Sequence, residues 1–289
     1  EILIGLVGSE MCIRDRARVR ARNHVAAFIK SFYRRSDMSM LELTPDFIKE
    51  FAAYLSTEAG LRNGSIWANC MWLKGVVMKA HYNGLIPRNP FIQFHISPNV
   101  KEREYLTEDE LKAVMTHEFA DSKLAYIRDI FIFASFTALS FVDIQELTND
   151  NIVEVNGEKW ILSKRHKTKV AFQVKLLDIP LQIVERYRPM QKDNRIFPGL
   201  NYWSICKPLK RMIRECGITK SISFHCSRHG FATLALSKGM PIESVSRVLG
   251  HTNIVTTQLY AKITTQKLDN DLTMFGDKLS KTFNGITMS

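Results

Sequence analysis

The sequence predicts a mainly α-helical protein in two parts, a helical first part and a mixed α+β second part with a small antiparallel sheet. Apolar residues recur at helical spacing from Ala17 onward. Short alternating segments flank Asn156-Gly157, a dipeptide typical of tight hairpin turns. The chain has 289 residues, 45% of them hydrophobic, which is enough to bury the cores of two domains.

Three helices are predicted in the first part. The first starts at Ala17, the second at Thr44-Pro45, where a capping residue precedes a proline, and the third near Ser65. Their apolar residues recur at the spacing of one helix face: Val25, Phe28, Ile29, Phe32, Tyr33, Phe47, Phe51, Leu55, Ile66, Cys70, Leu73 and Val77. Trp67 and Trp72 are interpreted as core residues, with base stacking as the alternative.

Residues 1–16 do not continue this helical pattern. Their LVGSEMCIRDR portion resembles translated sequencing-adapter sequence, so we expect a non-native or disordered leader. A signal segment is disfavoured because a basic start and a small-residue cleavage site are missing. The first domain is predicted over 17–97 and a charged linker over 98–104. The second domain, 105–289, opens with a capping box at Thr107-Glu-Asp-Glu110.

The second domain alternates helix and strand patterns. The apolar stretch from Ile127 to Leu139 predicts a buried helix. Strands are predicted at Ile152–Val155, Lys159–Leu162 and Ala171–Leu176. Near the carboxyl end, an apolar stripe predicts one more helix, and its members are Leu268, Leu272, Phe275 and Leu279.

Charge and cysteine content narrow the function classes. The net charge of +11 and the pI near 9.4 agree with a phosphate-rich partner without proving one. No apolar run approaches the roughly 18–20 residues of a membrane span. The odd number of cysteines and the lack of a CxxC pair argue against a disulfide framework and a zinc knuckle. We therefore expect a reduced bacterial cytoplasm, with the protein associated with the nucleoid.

The last quarter of the chain holds the residues best suited to chemistry. His225 and Arg228 form a His-x-x-Arg motif, Leu249-Gly-His251 follows, and Tyr260 stands nine residues after that histidine. Arginine offers a planar fork of donors matched to phosphate oxygens, and histidine can donate hydrogen bonds or move protons near neutral pH. A tyrosine hydroxyl can attack phosphorus. This set suits phosphoryl transfer.

In order and spacing, HCSRHGFATLAL and LGHTNIVTTQLYAK resemble the tyrosine recombinase (phage integrase) family. The resemblance extends over roughly residues 17–285 and includes GLIPRNPF at the end of the first part. It implies a helical, SAM-like core DNA-binding domain followed by a catalytic domain of the DNA breaking-rejoining fold. The two domains would close around duplex DNA as a clamp. Relatives of this type often carry an additional amino-terminal domain that binds arm sites.

The resemblance also implies a mechanism. Tyr260 attacks the scissile phosphate and forms a 3′-phosphotyrosyl bond, while Arg228, His225 and His251 stabilise the pentavalent charge. Lys167, in the basic segment between the last two strands, protonates the leaving 5′ hydroxyl. No cofactor, metal ion or ATP is required. Two alternatives stay open: Tyr260 as a packed aromatic, and a zinc site built from the ligands His225, His229, His251 and Cys226. His229 is otherwise interpreted as a helix neighbour of Arg228.

One position departs from the family. Most members have Thr-Gly-Leu-Arg at the positions where this chain has Thr137-Ala-Leu-Ser140. The first of the family's two phosphate-binding arginines is therefore missing. Asp143 matches the acidic residue that supports the active-site arginine, and a serine at this position resembles the mobile-element and conjugative-transposon integrases that lack the arginine. We hypothesise that Arg165, which in extended backbone shares a face with Lys167, supplies the missing charge. The alternative is a solvated basic hairpin that touches only the DNA backbone.

Three functions follow from these patterns. The first is a site-specific recombinase or integrase of a mobile element that acts on double-stranded core sites as a homotetramer, with an accessory DNA-bending protein as a further partner. The second is a catalytically silent DNA-binding regulator, motivated by Ser140. The third is a type IB topoisomerase-like relaxing enzyme. The carboxy-terminal apolar stripe is expected to dock on a neighbouring protomer, with packing on its own domain as the alternative.

Overall fold

The computed structural model describes residues 13–98, 104–166, 169–191, 193–260 and 265–282. The chain divides into two compact units, Glu1–Glu102 and Arg103–Ser289. Among the described residues, no helix combines the length and apolar character needed to cross a bilayer.

The first unit contains helices α1 (Ile13–Tyr33), α2 (Pro45–Thr57) and α3 (Asn63–Tyr82). The Thr44 hydroxyl caps α2 by accepting the Phe47 N–H at 3.2 Å, as the sequence predicts. The first helix begins at Ile13 rather than at Ala17, because residues 13–16 contain no helix breaker. The remainder of the predicted leader, residues 1–12, lies outside the described residues.

The core of the first unit lies between these three helices. All the apolar residues predicted on the helix faces are buried except Phe32 and Tyr33, and Tyr33 packs against the core while its hydroxyl donates to Glu50 at 2.9 Å. Phe32 is 54% exposed, and its ring lies 5.4 Å from that of Phe28 and 5.1 Å from that of Tyr33 between centroids. Trp72 packs against the core, in agreement with the prediction, whereas Trp67 is half-buried and is not among the residues that pack against it.

The second unit holds the remaining helices. They are α4 (Glu108–Thr116), α5 (Ser122–Thr137), α6 (Phe141–Gln145), α7 (Asp178–Tyr187), α8 (Tyr202–Glu215), α9 (Cys226–Ser237), α10 (Ile242–Leu249), α11 (Val255–Gln258) and α12 (Thr265–Thr282). The predicted capping box opens α4: the Thr107 hydroxyl accepts the Glu110 N–H at 3.3 Å, and the Glu110 carboxylate accepts the Thr107 N–H at 2.7 Å.

Three strands form an antiparallel sheet in the order β1 (Ile152–Val155), β2 (Glu158–Lys164) and β3 (Ala171–Lys175). Asn156 and Gly157 both have positive φ, 53° and 79°, which allows the tight turn between β1 and β2. Lys164 pairs with Ala171, so the β2–β3 connection begins at Arg165. The structure confirms the predicted fold class, mainly helical with a small antiparallel sheet.

The buried helix α5 organises the second unit, because α7, α8 and α9 all pack against it. Its predicted apolar residues are buried except Phe136, which is half-buried. Asp129 is also buried, and its carboxylate accepts hydrogen bonds from Arg128, Arg186 and the Tyr187 hydroxyl. This helix ends at Thr137, and Ala138 then adopts a left-handed conformation with φ 56°. The chain thereby turns toward Ser140, the amino-terminal cap of α6.

Candidate active site

Arg228 is held in place by two backbone carbonyl groups. Its side chain starts on α9, and only 8% of the residue is exposed. Nη1 donates to the carbonyl oxygen of Ala138 at 2.8 Å, and Nη2 donates to that of Leu249. The guanidinium therefore bridges the carboxyl ends of α5 and α10. A left-handed conformation destabilises an alanine by roughly 1–2 kcal/mol. Ala138 adopts this conformation, and its carbonyl group accepts the hydrogen bond from Arg228.

Asp143 is the shared acceptor of a second network. Its Oδ2 accepts from the Ser140 hydroxyl at 2.7 Å and from Arg165 Nη1 at 2.8 Å, while its Oδ1 accepts from the backbone N–H of His166 at 3.0 Å. Burial raises the pKa of Asp143, but these hydrogen bonds and the charge of Arg165 outweigh it and hold the pKa below its usual value. The carboxylate is therefore ionised at neutral pH.

Arg165 lies deep inside the second unit. It is 5% exposed, its guanidinium carbon lies 4.1 Å from the centre of the Phe172 ring, and Nη2 donates to the carbonyl oxygen of Val248 at 2.5 Å. The interpretation of this residue as part of a solvated hairpin surface is therefore wrong. Arg165 also follows the last residue of β2, so its position is set by Asp143 and Val248 rather than by a strand face shared with Lys167. Lys167 lies outside the described residues.

Gly250 makes room for the Arg165 side chain. It closes α10 with φ +61°, a conformation that glycine adopts without steric cost. A Cβ at this position would lie 2.9 Å from Arg165 Nε and 3.0 Å from its Cγ. Two physical requirements therefore explain the glycine of the Leu-Gly-His motif. The end of α10 needs a left-handed residue, and Arg165 approaches too closely for a side chain.

His251 follows this glycine and is fixed by a buried threonine. Its Nδ1 lies 2.9 Å from the hydroxyl oxygen of Thr257, which is fully buried on α11. Burial, together with the charges of Arg228, Arg165 and His225, lowers the pKa of His251 to about 4. The imidazole is therefore neutral at pH 7.

Tyr260 ends the described segment that carries α11. Its backbone N–H donates to Thr257 at 3.0 Å, and its ring packs against a small apolar cluster that includes Val245 and Leu249. The ring centroid lies 5.0 Å from that of His229, which in turn lies 4.8 Å from that of His225. The three rings thus form a continuous series from α9 to the tyrosine.

The charges of these groups act on one another, so the groups are neighbours. Burial and the charge of Arg165 lower the pKa of Arg228 to about 10, against the opposing effects of Tyr260 and Asp143. At neutral pH both arginines remain charged, whereas Asp143 supplies one negative charge. The structure thus brings together His225, Arg228, His251, Tyr260, Arg165, Asp143 and Ser140. This net positive cluster is called the pocket.

Metal binding finds no support in the described part of the chain. There, no group of three or more His, Cys, Asp or Glu side chains is placed to hold a metal ion. Cys226 is buried and lies with its sulfur 3.3 Å from the Ser223 hydroxyl. The alternative zinc site with Cys226 as a ligand is therefore wrong.

Sequence reasoning missed three contributors to the pocket. His229 was expected to be only a helix neighbour of Arg228, yet its ring lies between those of His225 and Tyr260. The i, i+4 spacing of the two histidines places them on one helix face and was the available signal. Thr257 and Phe172 gave no comparable signal. Their partners, His251 and Arg165, lie outside the helix or strand that carries each of them.

Comparison with known proteins agrees with this geometry. The model of the phage integrase family matches residues 104–267, more than half of the chain. The chain belongs to the phage integrase family. A second model, the phage integrase SAM-like domain, matches residues 13–96. By family, the chain is therefore a tyrosine recombinase.

The alignments with curated relatives cover only part of each relative's length. The chain is 32% identical to the tyrosine recombinase XerA of Pyrococcus horikoshii over 56% of this chain and 58% of that protein. It is 25% identical to the tyrosine recombinase XerC of Lactobacillus leichmannii over 74% of this chain and 77% of that protein.

Solved structures share the fold. The Tn1549 transposon integrase in complex with a circular intermediate DNA superposes with a TM-score of 0.76 at 16% identity, covering 94% of this chain and 95% of that one. A lambda integrase dimer bound to a core site superposes with a TM-score of 0.69 at 16% identity, covering 89% and 90%.

Proposed function

We propose that the protein cuts and rejoins duplex DNA at specific sites through a 3′-phosphotyrosyl intermediate, for integration or excision of a mobile element. The observation that carries the proposal is the clustering of Arg165, Arg228 and His251, with Tyr260 close enough for its charge to act on Arg228. The mobile-element role rests on Ser140, which resembles the integrases of such elements that lack the first arginine.

The charge balance of the pocket favours a phosphodiester as its ligand. Two buried guanidinium groups face one carboxylate, and like charges in a low-dielectric interior repel. Arg165 Nε is buried without a hydrogen-bond partner among the described residues, which is costly for a charged donor. The negative charge of a phosphate bound beside the two guanidinium groups would offset their repulsion. The neutral His251 then donates or accepts a hydrogen bond without adding to the repulsion.

The proposed chemistry exchanges one ester for another. The Oη of Tyr260 forms a bond to phosphorus as the bond from phosphorus to O5′ breaks. His225 accepts the phenolic proton, and Lys167 gives a proton to the leaving oxygen. Attack by a 5′ hydroxyl from a second strand reverses these steps and releases the tyrosine. Ester energy is conserved, so neither ATP nor a metal ion is needed, and the protein cations stabilise the charge instead.

Arg165 takes over the role of the arginine that Ser140 replaces. Both side chains donate to the same oxygen of Asp143, at 2.8 Å and 2.7 Å, so the serine keeps the hydrogen bond and Arg165 brings the charge. In the family, the acidic residue that Asp143 matches supports an arginine of the same segment. In this chain, Asp143 supports Arg165, an arginine of the β2–β3 connection.

Exchange between two duplexes requires two pairs of cleaving protomers, so we expect a homotetramer on two DNA sites. The stripe on α12 suits such an assembly because its members remain exposed: Leu268, Leu272, Phe275 and Leu279. We expect this stripe to dock on a neighbouring protomer.

Covalent capture tests the proposal. Wild-type, Tyr260→Phe and Tyr82→Phe proteins are incubated with sheared genomic DNA of the source organism and stripped with detergent, and the attached DNA is sequenced. Tyr82 is 92% exposed in the first unit and serves as the matched control. We expect recurrent fragments with wild type and Tyr82→Phe only, with unchanged yield in EDTA. Reversible binding without any adduct would favour the silent regulator.

A relaxation assay separates the remaining alternative. A type IB topoisomerase-like enzyme relaxes supercoiled plasmid without pairing two sites. We expect the protein to recombine two plasmids that carry the captured fragment and to leave supercoiled plasmids without that fragment unrelaxed.

A further inference from the structure

The segment that carries Tyr260 is short and partly exposed. The helix α11 spans Val255–Gln258, and the next residue, Leu259, is 77% exposed. Thr257 ties this helix to His251. The side chains against which the Tyr260 ring packs therefore contribute to its position.

His229 supplies the aromatic contact to this ring. The planes of His229 and Tyr260 meet at 62° with centroids 5.0 Å apart, which is edge-to-face geometry. The ring of His225 also packs against that of His229, at 86° and 4.8 Å between centroids. The apolar cluster beneath Tyr260 includes Leu236 of the same helix α9.

The helix α9 is a firm base for this contact. It spans twelve residues, Cys226–Ser237, and packs against the buried helix α5. Arg228 and His229 are consecutive on it, and Arg228 is fixed by the carbonyl groups of Ala138 and Leu249. A ring held by His229 is therefore held relative to Arg228.

We infer that His229 is a positioning residue for the nucleophile: its imidazole, supported by His225, holds the Tyr260 ring in register with the phosphate bound by Arg228. This inference rests on the proposed function for its catalytic consequence. The placement of the ring in the free protein does not depend on that function. Misplacement of a reacting group by about 1 Å can cost roughly 100-fold in rate.

Fluorine NMR tests the placement without DNA. All eight tyrosines are replaced by 3-fluorotyrosine, and the resonance absent from Tyr260→Phe is assigned to Tyr260. We expect His229→Ala to shift and broaden this resonance, and His229→Phe, which keeps an aromatic ring, to restore a single sharp line. His95→Ala is the control, because His95 is exposed in the first unit. A Tyr260 resonance unchanged in His229→Ala would overturn the inference.

Covalent adduct formation on sheared genomic DNA then tests the consequence. At saturating protein we expect His229→Ala to form adduct about 100-fold more slowly, with DNA affinity unchanged, and His229→Phe to recover most of the rate. If His229→Phe is as slow as His229→Ala, the ring contact is not what matters and the inference fails. If wild type forms no adduct, the proposed function fails, while the NMR result still decides the placement of Tyr260.

Discussion

Asp143 decides how the pocket holds its charge. One of its oxygens accepts from both Ser140 and Arg165, and we propose that this serine and this distant arginine together replace one local arginine. The ion pair is buried on both sides, with side chains 6% and 5% exposed. Removing one partner of such a pair costs about 3–5 kcal/mol of stability, because the other charge is left unpaired.

A charge exchange tests the role of Arg165. We expect Arg165→Ala to lower the rate of adduct formation by about 100- to 1000-fold, since one lost donor to a developing charge costs roughly 2.7–4 kcal/mol. Adding Ser140→Arg should restore a large part of the rate, because the new arginine lies beside Asp143 and pairs with it. Thermal unfolding of each variant checks that it is folded. Cleavage by Arg165→Ala at the wild-type rate would contradict the account.

His251 makes stability depend on pH in a defined direction. Its pKa falls from the usual 6.5 to about 4 on folding, so between these values the unfolded chain binds the proton and the folded protein does not. Stability is therefore full above pH 6.5 and falls as the pH drops toward 4. Between pH 7 and pH 5, we expect the free energy of unfolding of His251→Gln to fall by about 1–2 kcal/mol less than that of wild type. Urea unfolding at the two pH values measures this difference. Parallel curves for the two proteins would contradict this assignment.

The ends of four helices form much of the pocket. The carboxyl ends of α5 and α10 offer carbonyl groups to Arg228, α6 begins at Ser140, and α9 begins beside His225. Backbone groups at helix ends have no partner within the helix, so they are available to fix side chains from other elements. The sheet contributes Phe172, which lies against the Arg165 guanidinium.

The end of α10 can be tested with a matched pair of glycines. Gly250 and Gly217 both follow a helix with similar φ, +61° and +74°, but a Cβ would meet Arg165 only at Gly250. Each change to alanine should cost about 1–2 kcal/mol of stability through its left-handed backbone. We expect only Gly250→Ala to slow adduct formation as well, because Arg165 must move. Equal activity of the two variants would show that Arg165 tolerates the added methyl group.

Local signals predicted the elements that depend on local physics. Thr44, Thr107 and the Asn156-Gly157 turn act within a few residues, and each appears as expected. Phe32 was misjudged because helical spacing gives a face but not where the core ends. Arg165 was placed on a strand face, whereas its partners Asp143 and Val248 lie 22 and 83 residues away in the chain. The role of His229 was missed because it depends on Tyr260, on a segment 31 residues later.

At the level of the assembled protein, the α12 stripe provides the test. Leu272 and Phe275 are 59% and 57% exposed, so replacing them should not disturb the protomer. We expect Leu272→Glu with Phe275→Glu to abolish complexes that pair two duplexes while single-duplex binding persists, as gel mobility would record. Met190→Glu, at an apolar position 61% exposed elsewhere in the second unit, should pair duplexes normally. Paired complexes that survive the α12 changes would assign this stripe no role in assembly.

Mapping the protein–DNA bond tests the central claim most directly. The detergent-resistant adduct is digested with nuclease and protease, and the peptide that retains a nucleotide is sequenced by mass spectrometry. We predict one modified peptide, with a nucleotide joined through its 3′ phosphate to the phenolic oxygen of Tyr260. A nucleotide on any other side chain, or a 5′-linked nucleotide on Tyr260, would contradict the account.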